Sequence, residues 1–310
     1  MRLLPVLRFH FTHFRPMDTN IFVPKHAPPT ENEIKTLENF LMDKPNTLVL
    51  TGAGISTESG IPDYRSEGVG LYARSNHKPV QHQDFVKNAE VRRRYWARNF
   101  IGWDSFSRKE PNAVHYSLAR FEREARISGI VTQNVDRLHT KAGSKNVTEL
   151  HGSGYEVGCL SCDYQIDRHD FQTILKQRNP DVSTPEVISN MVRPDGDVDI
   201  PQEVIDNFHV PECPNCQNGF LKPKIVFFGD NVPNDRIVAL VKLITTSDAV
   251  LVLGSSLTVY SGFRIVLQAK ELGIPVAIVN IGNTRGDKHA DLKISTKCGD
   301  VIPHLFKFEK

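Results

Sequence analysis

The chain has 310 residues, of which 39% are hydrophobic and 24% are charged, and its formal net charge is only +2. This composition is typical of a globular protein, and the length suits one large domain with insertions. The near balance of charge argues against a nucleic-acid partner. The longest apolar stretches, such as Ala249–Leu253, are much shorter than the roughly 20 residues needed to span a bilayer, which argues against a membrane partner.

Residues 1–17 contain three arginines, several large apolar side chains and no acidic residue. This pattern is typical of an organelle transit peptide, and we interpret residues 1–28 as a mitochondrial transit peptide followed by a proline-rich lead-in. A basic tail without a targeting role is the alternative, which Pro5, Pro16 and the lack of serine favour. Five cysteines, four of them in two Cys-x-x-Cys pairs, fit a reduced compartment. We therefore predict residence in the mitochondrial matrix.

Hydrophobic periodicity predicts an alternation of helices and strands from residue 30 onward. Thr30 and Glu33 have capping-box spacing, and apolar residues from Ile34 to Leu41 recur with helical period, so a helix precedes the first strand. Apolar runs predict strands at Thr47–Thr51, Gly129–Thr132, 224–228, Ala249–Leu253 and 275–280, with helices at 235–245 and 261–273. Short apolar strands separated by helices predict an α/β fold with a doubly wound, Rossmann-like parallel sheet.

Two segments interrupt this alternation. Residues 72–126 are polar and rich in aromatic and basic side chains, and we interpret them as a helical insert. Residues 151–222 contain all four paired cysteines and have no strong hydrophobic period, which predicts a smaller, zinc-binding module. The Rossmann-like domain is then expected to consist of residues 29–71, 127–150 and 223–310.

Four cysteines form a metal-ligand pattern. Cys159, Cys162, Cys213 and Cys216 make a double Cys-x-x-Cys motif, which supplies four thiolates to one Zn²⁺ ion. Four thiolates fill the coordination sphere, so the predicted ion is structural. Two disulfides or a thioredoxin-like redox pair are the alternatives, although neither pair has the strand-to-helix setting of the redox motif. The long stretch 163–212 between the pairs predicts an extra loop or helix that reaches the active site.

The turn Gly52, Ala53, Gly54 directly follows the first predicted strand. Backbone N–H groups at such a turn approach a pyrophosphate, and the next helix N-terminus adds its positive dipole. The usual dinucleotide fingerprint requires Gly or Ala at position 57, where Thr57 stands, so an ordinary dehydrogenase is disfavoured. For this short motif alone, a tight turn without a ligand is the alternative.

A longer string favours the ligand-binding interpretation. Residues 52–65 read GAGISTESGIPDYR, which closely resembles the first signature of the sirtuin family. The segments TQNVD at 132–136 and ELHG at 149–152, and the cysteine pairs, fall where that family has them. The IPDYR variant, the segment RYWARNF at 94–100 and the basic leader resemble the class II, mitochondrial sirtuin-four branch.

This resemblance implies NAD as co-substrate and one structural Zn²⁺ ion. It implies a protein-lysine deacylase of the transferase class that consumes NAD and releases nicotinamide and O-acyl-ADP-ribose. Members of class II act on bulky or acidic acyl chains, so we expect lipoyl or branched dicarboxylic groups on lysines of mitochondrial metabolic enzymes. Protein ADP-ribosyl transfer is one alternative, and a catalytically silent NAD- and zinc-binding scaffold is another. The intact set His151, Asn134 and Asp136 disfavours the scaffold.

The resemblance also implies roles for individual residues. His151 is expected to be the general base on a ribose hydroxyl, while Asn134 and Asp136 orient the nicotinamide-side ribose. Without the resemblance, a histidine is more often a surface or core residue, and polar residues after a strand are often helix caps. The expected NAD-binding residues are Gly52, Ala53, Gly54, Ser56, Thr57, Asp63, Tyr64, Arg65, Tyr72, Gln133, Asn134, Val135, Asp136, Gly254, Ser255, Ser256, Asn280, Ile281, Gly282 and Cys298.

Substrate-binding residues are expected at the end of the predicted strand 224–228. Val226, Phe227, Phe228 and Gly229 are expected to pair with an extended peptide and to line a channel for the acylated lysine, with ordinary sheet core as the alternative. Elsewhere, Arg94 and Arg98 are candidate cations for an acyl carboxylate. A solvated helix face is the alternative for these two arginines.

Overall fold

The computed structural model describes residues 22–74, 79–182 and 192–306, so the predicted leader at 1–17 lies outside the described residues. The strands in this part of the chain are β1 (Thr47–Thr51), β2 (Gly129–Thr132), β3 (Val147–Glu149), β4 (Gly152–Cys159), β5 (Gln165–Asp167), β6 (Leu221–Ile225), β7 (Ala249–Leu253), β8 (Val276–Val279) and β9 (Leu292–Ile294). They form a six-stranded sheet in the order β3-β2-β1-β7-β8-β9 and a three-stranded sheet in the order β5-β4-β6.

The six-stranded sheet is parallel throughout, as predicted. β1 lies at its centre, with Leu48 opposite Gly129 on one side and Val250 on the other. All five residues of β1 are buried, which explains why its sequence is apolar without alternation. Because the chain leaves β1 toward β2 first and later returns to β7, a crevice opens at the carboxyl ends of these strands.

The helices are α1 (Glu31–Met42), α2 (Leu71–Arg74), α3 (His82–Lys87), α4 (Ala89–Ser107), α5 (Ala113–Arg123), α6 (Leu138–Lys141), α7 (Arg168–Arg178), α8 (Gln202–Asp206), α9 (Asn234–Thr245) and α10 (Tyr260–Glu271). The predicted capping box starts α1: the Glu33 N–H donates to Thr30 Oγ1 at 3.2 Å, and the Thr30 N–H donates to Glu33 Oε2 at 2.8 Å. The helices predicted at 235–245 and 261–273 correspond to α9 and α10. No helix in the described residues is long and apolar enough to cross a membrane.

Both faces of the parallel sheet are covered, as a doubly wound fold requires. On one face, Val49 of β1 packs in a cluster with Leu37 of α1 and Leu118 of α5. On the other face, Leu48 packs with Phe263 of α10 and Leu240 of α9. The predicted helical insert at 72–126 is therefore divided, because its last helix, α5, belongs to the core of the parallel sheet.

The remaining insert helices form a small lobe with the antiparallel sheet. One cluster joins Phe85 of α3, Trp96 of α4, Val157 of β4, Phe171 of α7 and Ile205 of α8. Helix α7 is the extra helix predicted between the cysteine pairs. The helical insert and the cysteine-bearing segment thus share one core.

The strand predicted at 224–228 is placed differently in the structure. β6 ends at Ile225 and pairs antiparallel with β4, where Ile225 lies opposite Gly152, so it belongs to the small lobe and not to the parallel sheet. A short apolar run predicts a buried strand but does not identify its neighbour. β3 and β9 were not predicted, because three-residue strands at the sheet edges are too short to show a hydrophobic pattern.

Candidate active site and metal centre

A cleft of about 1910 Å³ lies at the carboxyl ends of the parallel strands and faces the small lobe. The turns after β1, β2, β7 and β8 line one side, and the segment after β6 lines the other. Every predicted NAD-binding, catalytic and substrate-binding residue lines this cleft except Tyr72. The Tyr72 ring instead packs 5.8 Å from the Tyr64 ring, with the Arg65 guanidinium 5.3 Å from its centroid.

The glycine turn after β1 packs directly on the turn after β7. The Gly52 N–H donates to the Leu253 carbonyl at 3.1 Å, and the Gly54 N–H donates to the Gly254 carbonyl at 2.9 Å. A Cβ atom on either Gly52 or Gly54 would lie 2.8 Å from the Gly254 oxygen, which is a steric clash with backbone. Only glycine therefore permits this approach. The close contact places the backbone of both turns along the same wall of the cleft.

Polar residues after β2 fix the shape of the glycine turn. The Asn134 side-chain amide donates to the Gly52 carbonyl and to Ser56 Oγ, both at 3.1 Å. Ser56 Oγ in turn donates to Asp136 Oδ2 at 2.7 Å. The other Asp136 oxygen accepts the Leu138 N–H at 3.0 Å at the start of α6, although the N-cap residue of this helix is Arg137 and not Asp136. Burial raises the pKa of Asp136, while these hydrogen bonds oppose the rise.

His151 lies between β3 and β4 with both ring nitrogens in hydrogen bonds. Nδ1 is 3.0 Å from the Gln133 carbonyl oxygen, and Nε2 is 2.8 Å from Ser261 Oγ. A carbonyl oxygen only accepts, so Nδ1 carries the proton and Nε2 accepts from the serine hydroxyl. Burial lowers the pKa of His151 to about 4, although the bond to Gln133 opposes this shift. The imidazole is therefore neutral near pH 7, and its Nε2 lone pair is able to take a proton.

Ser261 is a site residue that the sequence did not reveal. It lies in the first turn of α10 and also lines the cleft. Gln133, whose carbonyl accepts from His151, also contacts the turn after β7, because its side-chain amide donates to Ser255 Oγ at 2.8 Å. This bond links the turn after β2 to the turn after β7. A serine at the start of a helix is ordinarily interpreted as a capping residue. Nothing in the sequence therefore indicates that Ser261 contacts His151, which is 110 positions away.

The segment after β6 forms the lobe side of the cleft. The Val226 N–H donates to the His151 carbonyl at 2.8 Å, and the Phe228 carbonyl accepts the His82 N–H at 2.9 Å. Phe227 packs against Phe85, with ring centroids 5.3 Å apart, so it belongs to the lobe core as well as to the cleft wall. Gly229 has a φ of 74°, in the left-handed region that favours glycine, and residues 230–234 after it continue along the cleft wall.

The loop that carries Asp63 closes the cleft on a further side. The Asp63 carboxylate accepts the Ser66 N–H at 2.9 Å and bonds to the Ser66 hydroxyl as well. Backbone bonds from Leu71 to Asp63 and from Tyr72 to Tyr64, at 2.8 and 2.9 Å, fold the loop back on itself. The Asp63 side chain is thus used within the loop, and the loop backbone faces the cleft.

Two further predictions concern the remaining walls. Cys298 is buried, its thiol lies 3.5 Å from the Val279 carbonyl, and burial raises the pKa of this thiol to about 12, so the thiol stays protonated near neutral pH. The stretch between the cysteine pairs reaches the cleft as expected, through Pro194 and Asp195. Burial, and the neighbouring Asp197 carboxylate, raise the pKa of Asp195 to about 6.

The two arginines proposed for an acyl carboxylate do not line the cleft. Arg98 is wrong in that role, because its guanidinium pairs with Asp197 at 2.8 Å and with Asp199 at 2.7 Å. Arg98 Nε also donates to the Val198 carbonyl at 2.8 Å. Helix α4 thus directs Arg98 toward the loop that follows residue 192, within the small lobe.

The four predicted ligand cysteines meet at one end of the small lobe. Their sulfur atoms all lie within 4.8 Å of one another, and the pairs Cys159–Cys216 and Cys162–Cys213 are each 3.7 Å apart. A tetrahedral zinc ion with Zn–S bonds of about 2.3 Å separates its sulfurs by about 3.8 Å, so the four thiols fit this ion. A disulfide requires about 2.05 Å, which excludes the disulfide alternative. A Cβ on Gly219 would lie 2.1 Å from the Cys159 sulfur, so the backbone is shaped around the sulfur cluster.

The fold and the site together define a nucleotide-binding α/β protein with a buried histidine in its cleft and a four-cysteine cluster that fits a zinc ion. The Sir2 family model matches residues 52–261, and the chain belongs to the Sir2 family, the sirtuins. The Drosophila melanogaster protein "NAD-dependent protein deacylase Sirt4" is 63% identical over 309 residues, which cover 99% of this chain and 98% of that protein. The predicted family and branch are thereby confirmed.

Two further comparisons extend this likeness. The Homo sapiens protein "NAD-dependent protein lipoamidase sirtuin-4, mitochondrial" is 48% identical over 283 residues, which cover 91% of this chain and 89% of that protein. A solved structure described as "Sir2-p53 peptide-NAD+" matches with a TM-score of 0.68 and 31% identity, covering 87% of this chain and 95% of that one. The predicted doubly wound fold is confirmed by this match.

Proposed function

We propose that this protein is an NAD-dependent protein-lysine deacylase, which converts an acyl-lysine, NAD and water into free lysine, O-acyl-ADP-ribose and nicotinamide. The observation that carries the proposal is the state of His151: a neutral imidazole whose protonated Nδ1 is fixed by the Gln133 carbonyl and whose Nε2 is available as a base. The names of the Drosophila and human relatives, a deacylase and a lipoamidase, support the same reaction class.

The site residues divide the work of this reaction. NAD, when bound, supplies the ADP-ribosyl group and nicotinamide as leaving group. The glycine turn at Gly52 and Gly54 lines the cleft without side-chain bulk, so a phosphate-bearing ligand is able to approach its backbone closely. Asn134 and Asp136 hold this turn through Ser56, so the wall is preorganised before the ligand arrives.

His151 then acts as general base. Its Nε2 removes the proton from a ribose hydroxyl, which makes that oxygen a nucleophile toward the acyl carbon. The Gln133 carbonyl accepts a hydrogen bond from Nδ1–H, and this bond stabilises the imidazolium that forms. Ser261 must release Nε2 when the ribose hydroxyl takes its place, since one lone pair serves one donor at a time.

The metal module has a structural part in this proposal. Cys159, Cys162, Cys213 and Cys216 would occupy all four positions of a tetrahedral ion, which leaves no position for water or substrate. The module shares its core with the segment that forms the lobe side of the cleft, through Phe227 and Cys213. The ion therefore acts on catalysis by holding the substrate wall in place.

We further propose that the preferred acyl group is bulky and is not acetyl. The cleft wall is apolar at Ile61, Val135 and Phe227, which suits a long chain such as lipoyl. A branched dicarboxylic chain is the second candidate, for which Arg65 and Arg264 are cations in the cleft wall. The substrates are proposed to be mitochondrial metabolic enzymes in the matrix. The basic leader and the word "mitochondrial" in the name of the human relative support this location.

The experiment is a panel of lysine peptides that carry acetyl, long-chain, lipoyl or branched dicarboxylic acyl groups. Each is incubated with the protein and NAD, and both the deacylated peptide and nicotinamide are quantified. We expect equal amounts of the two products, with the highest kcat/KM for a bulky acyl group. Nicotinamide release with label on protein and no deacylated peptide would favour ADP-ribosyl transfer. No release with any peptide would favour the silent scaffold.

A further inference from the structure

The segment immediately before α1 forms part of the cleft wall. Residues 22–28 are here called the lead-in strap. The sequence predicts only a proline-rich connection between the leader and α1 for this segment. In the structure, five consecutive residues of the strap, 23–27, line the same cleft as the glycine turn and His151. The strap thus occupies a position that is unexpected for a linker.

Three contacts anchor the strap across the cleft. Phe22 is only 2% exposed and packs beneath the Arg74 guanidinium, which lies 5.1 Å from its ring. His26 Nε2 lies 3.0 Å from Asp300 Oδ2. The Thr296 hydroxyl donates to the Ala27 carbonyl at 2.9 Å. The strap therefore joins the end of the Asp63 loop to residues 295–300, here called the late loop.

A chain of ion pairs continues from the strap to the glycine turn. Asp300 pairs with Lys297 at 3.2 Å, and Lys297 pairs with Glu58 at 3.4 Å. Glu58 also accepts the Gly299 N–H at 3.1 Å, and it lies in the 3-10 turn that follows the glycine turn. The late loop is thus held from both sides, by His26 of the strap and by Glu58.

We propose that the lead-in strap is part of the NAD site, where it closes the end of the cleft that is lined by Cys298 and positions the late loop for the nucleotide. This inference rests on the proposed function for the identity of the ligand. It assigns His26 a positioning role through Asp300. It also requires that any processing of the leader leaves the chain intact from Phe22 onward.

The expected effect follows from the order that the strap imposes. Without the His26 and Thr296 contacts, the strap and the late loop have to be ordered when the nucleotide binds, and that ordering weakens binding. Loss of one partly buried, charge-assisted hydrogen bond is expected to weaken nucleotide affinity by about tenfold. None of these three strap contacts involves the segment after β6, which forms the acyl-lysine side of the cleft.

The experiment uses the full chain with His26→Ala, with Thr296→Val, and with His209→Ala as the matched control. Thr296→Val keeps the side-chain shape and removes the hydroxyl that binds Ala27. His209 is exposed and bonds to Asn179 through its backbone, so its substitution removes an imidazole far from the cleft. ADP-ribose is the probe, because it is not consumed, and its Kd is measured by calorimetry. KM for an acyl peptide is measured in parallel at saturating NAD.

We expect His26→Ala to bind ADP-ribose about tenfold more weakly, and Thr296→Val, which loses a neutral hydrogen bond, about three- to tenfold more weakly. Peptide KM should be unchanged in both, and the His209 variant should match the parent. An ADP-ribose Kd within twofold of the parent in both His26→Ala and Thr296→Val would overturn the proposal. Equal losses of peptide and ADP-ribose affinity would also overturn it, because general loosening of the fold would then explain the effect. If the parent binds ADP-ribose but deacylates no peptide, the proposed function fails while the strap is still tested by Kd.

Discussion

Replacement of Gly54 by alanine tests whether the glycine turn is a nucleotide-binding wall. The added Cβ would lie 2.8 Å from the oxygen, 2.9 Å from the Cα and 3.1 Å from the carbonyl carbon of Gly254. All three atoms are backbone, and Gly254 itself has a φ of 57° and so little free space that a Cβ added to it would lie 2.5 Å from the Ile55 nitrogen. Neither turn can move without disturbing a central strand.

The cost of this clash is that of overpacking a filled core, roughly 1–3 kcal/mol. Part of it appears as lower stability, and part as displacement of the turn from its position in the cleft. The share that falls on binding, on the order of 1–2 kcal/mol, corresponds to about a 5- to 30-fold increase in Kd. We therefore expect Gly54→Ala to fold with a Tm a few degrees lower and to bind ADP-ribose at least about fivefold more weakly.

Gly158→Ala is the matched control for this substitution. A Cβ on Gly158 would lie 3.6 Å from the flexible end of Lys224, which is ordinary van der Waals contact. Calorimetry with ADP-ribose and thermal melts are applied to both variants. Full affinity in Gly54→Ala, or equal losses in the two variants, would refute the steric argument.

Two further predictions concern the metal centre and a buried histidine. Cys213→Ser should lose the bound zinc, measured by atomic absorption, and should melt at a lower temperature. Cys298→Ser is the control and should keep its zinc. A Cys213→Ser variant with a full complement of zinc would contradict the four-thiolate site. Burial lowers the pKa of His139 from an ordinary 6.5 to about 3. Between these two pH values the unfolded chain is protonated at His139 and the folded protein is not. The free energy of unfolding therefore falls as the pH decreases from about 6.5 toward 3. The free energy of unfolding is measured by urea titration at pH 7.5 and at pH 5. His139→Gln should show a smaller decrease between the two pH values than the parent, and an equal decrease would contradict the role of His139.

Several parts of the fold followed from local chemistry. The capping box at Thr30 and Glu33 marked the start of α1, and the uniform apolar run of β1 indicated a strand buried on both faces. The sirtuin resemblance assigned the residues after β1, β2 and β7 to one NAD site, and they line one cleft because the carboxyl ends of parallel strands meet at one edge of the sheet. The cysteine spacing likewise predicted a sulfur cluster without any knowledge of the lobe around it.

Other features depend on contacts that sequence patterns do not encode. β6 has the apolar character of a parallel strand, yet it pairs with β4. Arg98 was a candidate for the substrate, but Asp197 and Asp199 neutralise it after the chain has folded. Ser261 and His26 reach the site from distant positions, and a serine in a helix or a histidine in a linker carries no signal of such a partner.

The role of His151 is the central claim, and single-turnover measurement of nicotinamide and deacylated peptide tests it most directly. The parent and His151→Ala are compared with the peptide that the acyl panel selects, and ADP-ribose affinity is measured in both to confirm an intact cleft. We predict one nicotinamide per deacylated lysine in the parent, and loss of deacylation by at least about 100-fold in His151→Ala with unchanged ADP-ribose binding. Deacylation by His151→Ala at the rate of the parent would contradict the assignment of His151 as general base.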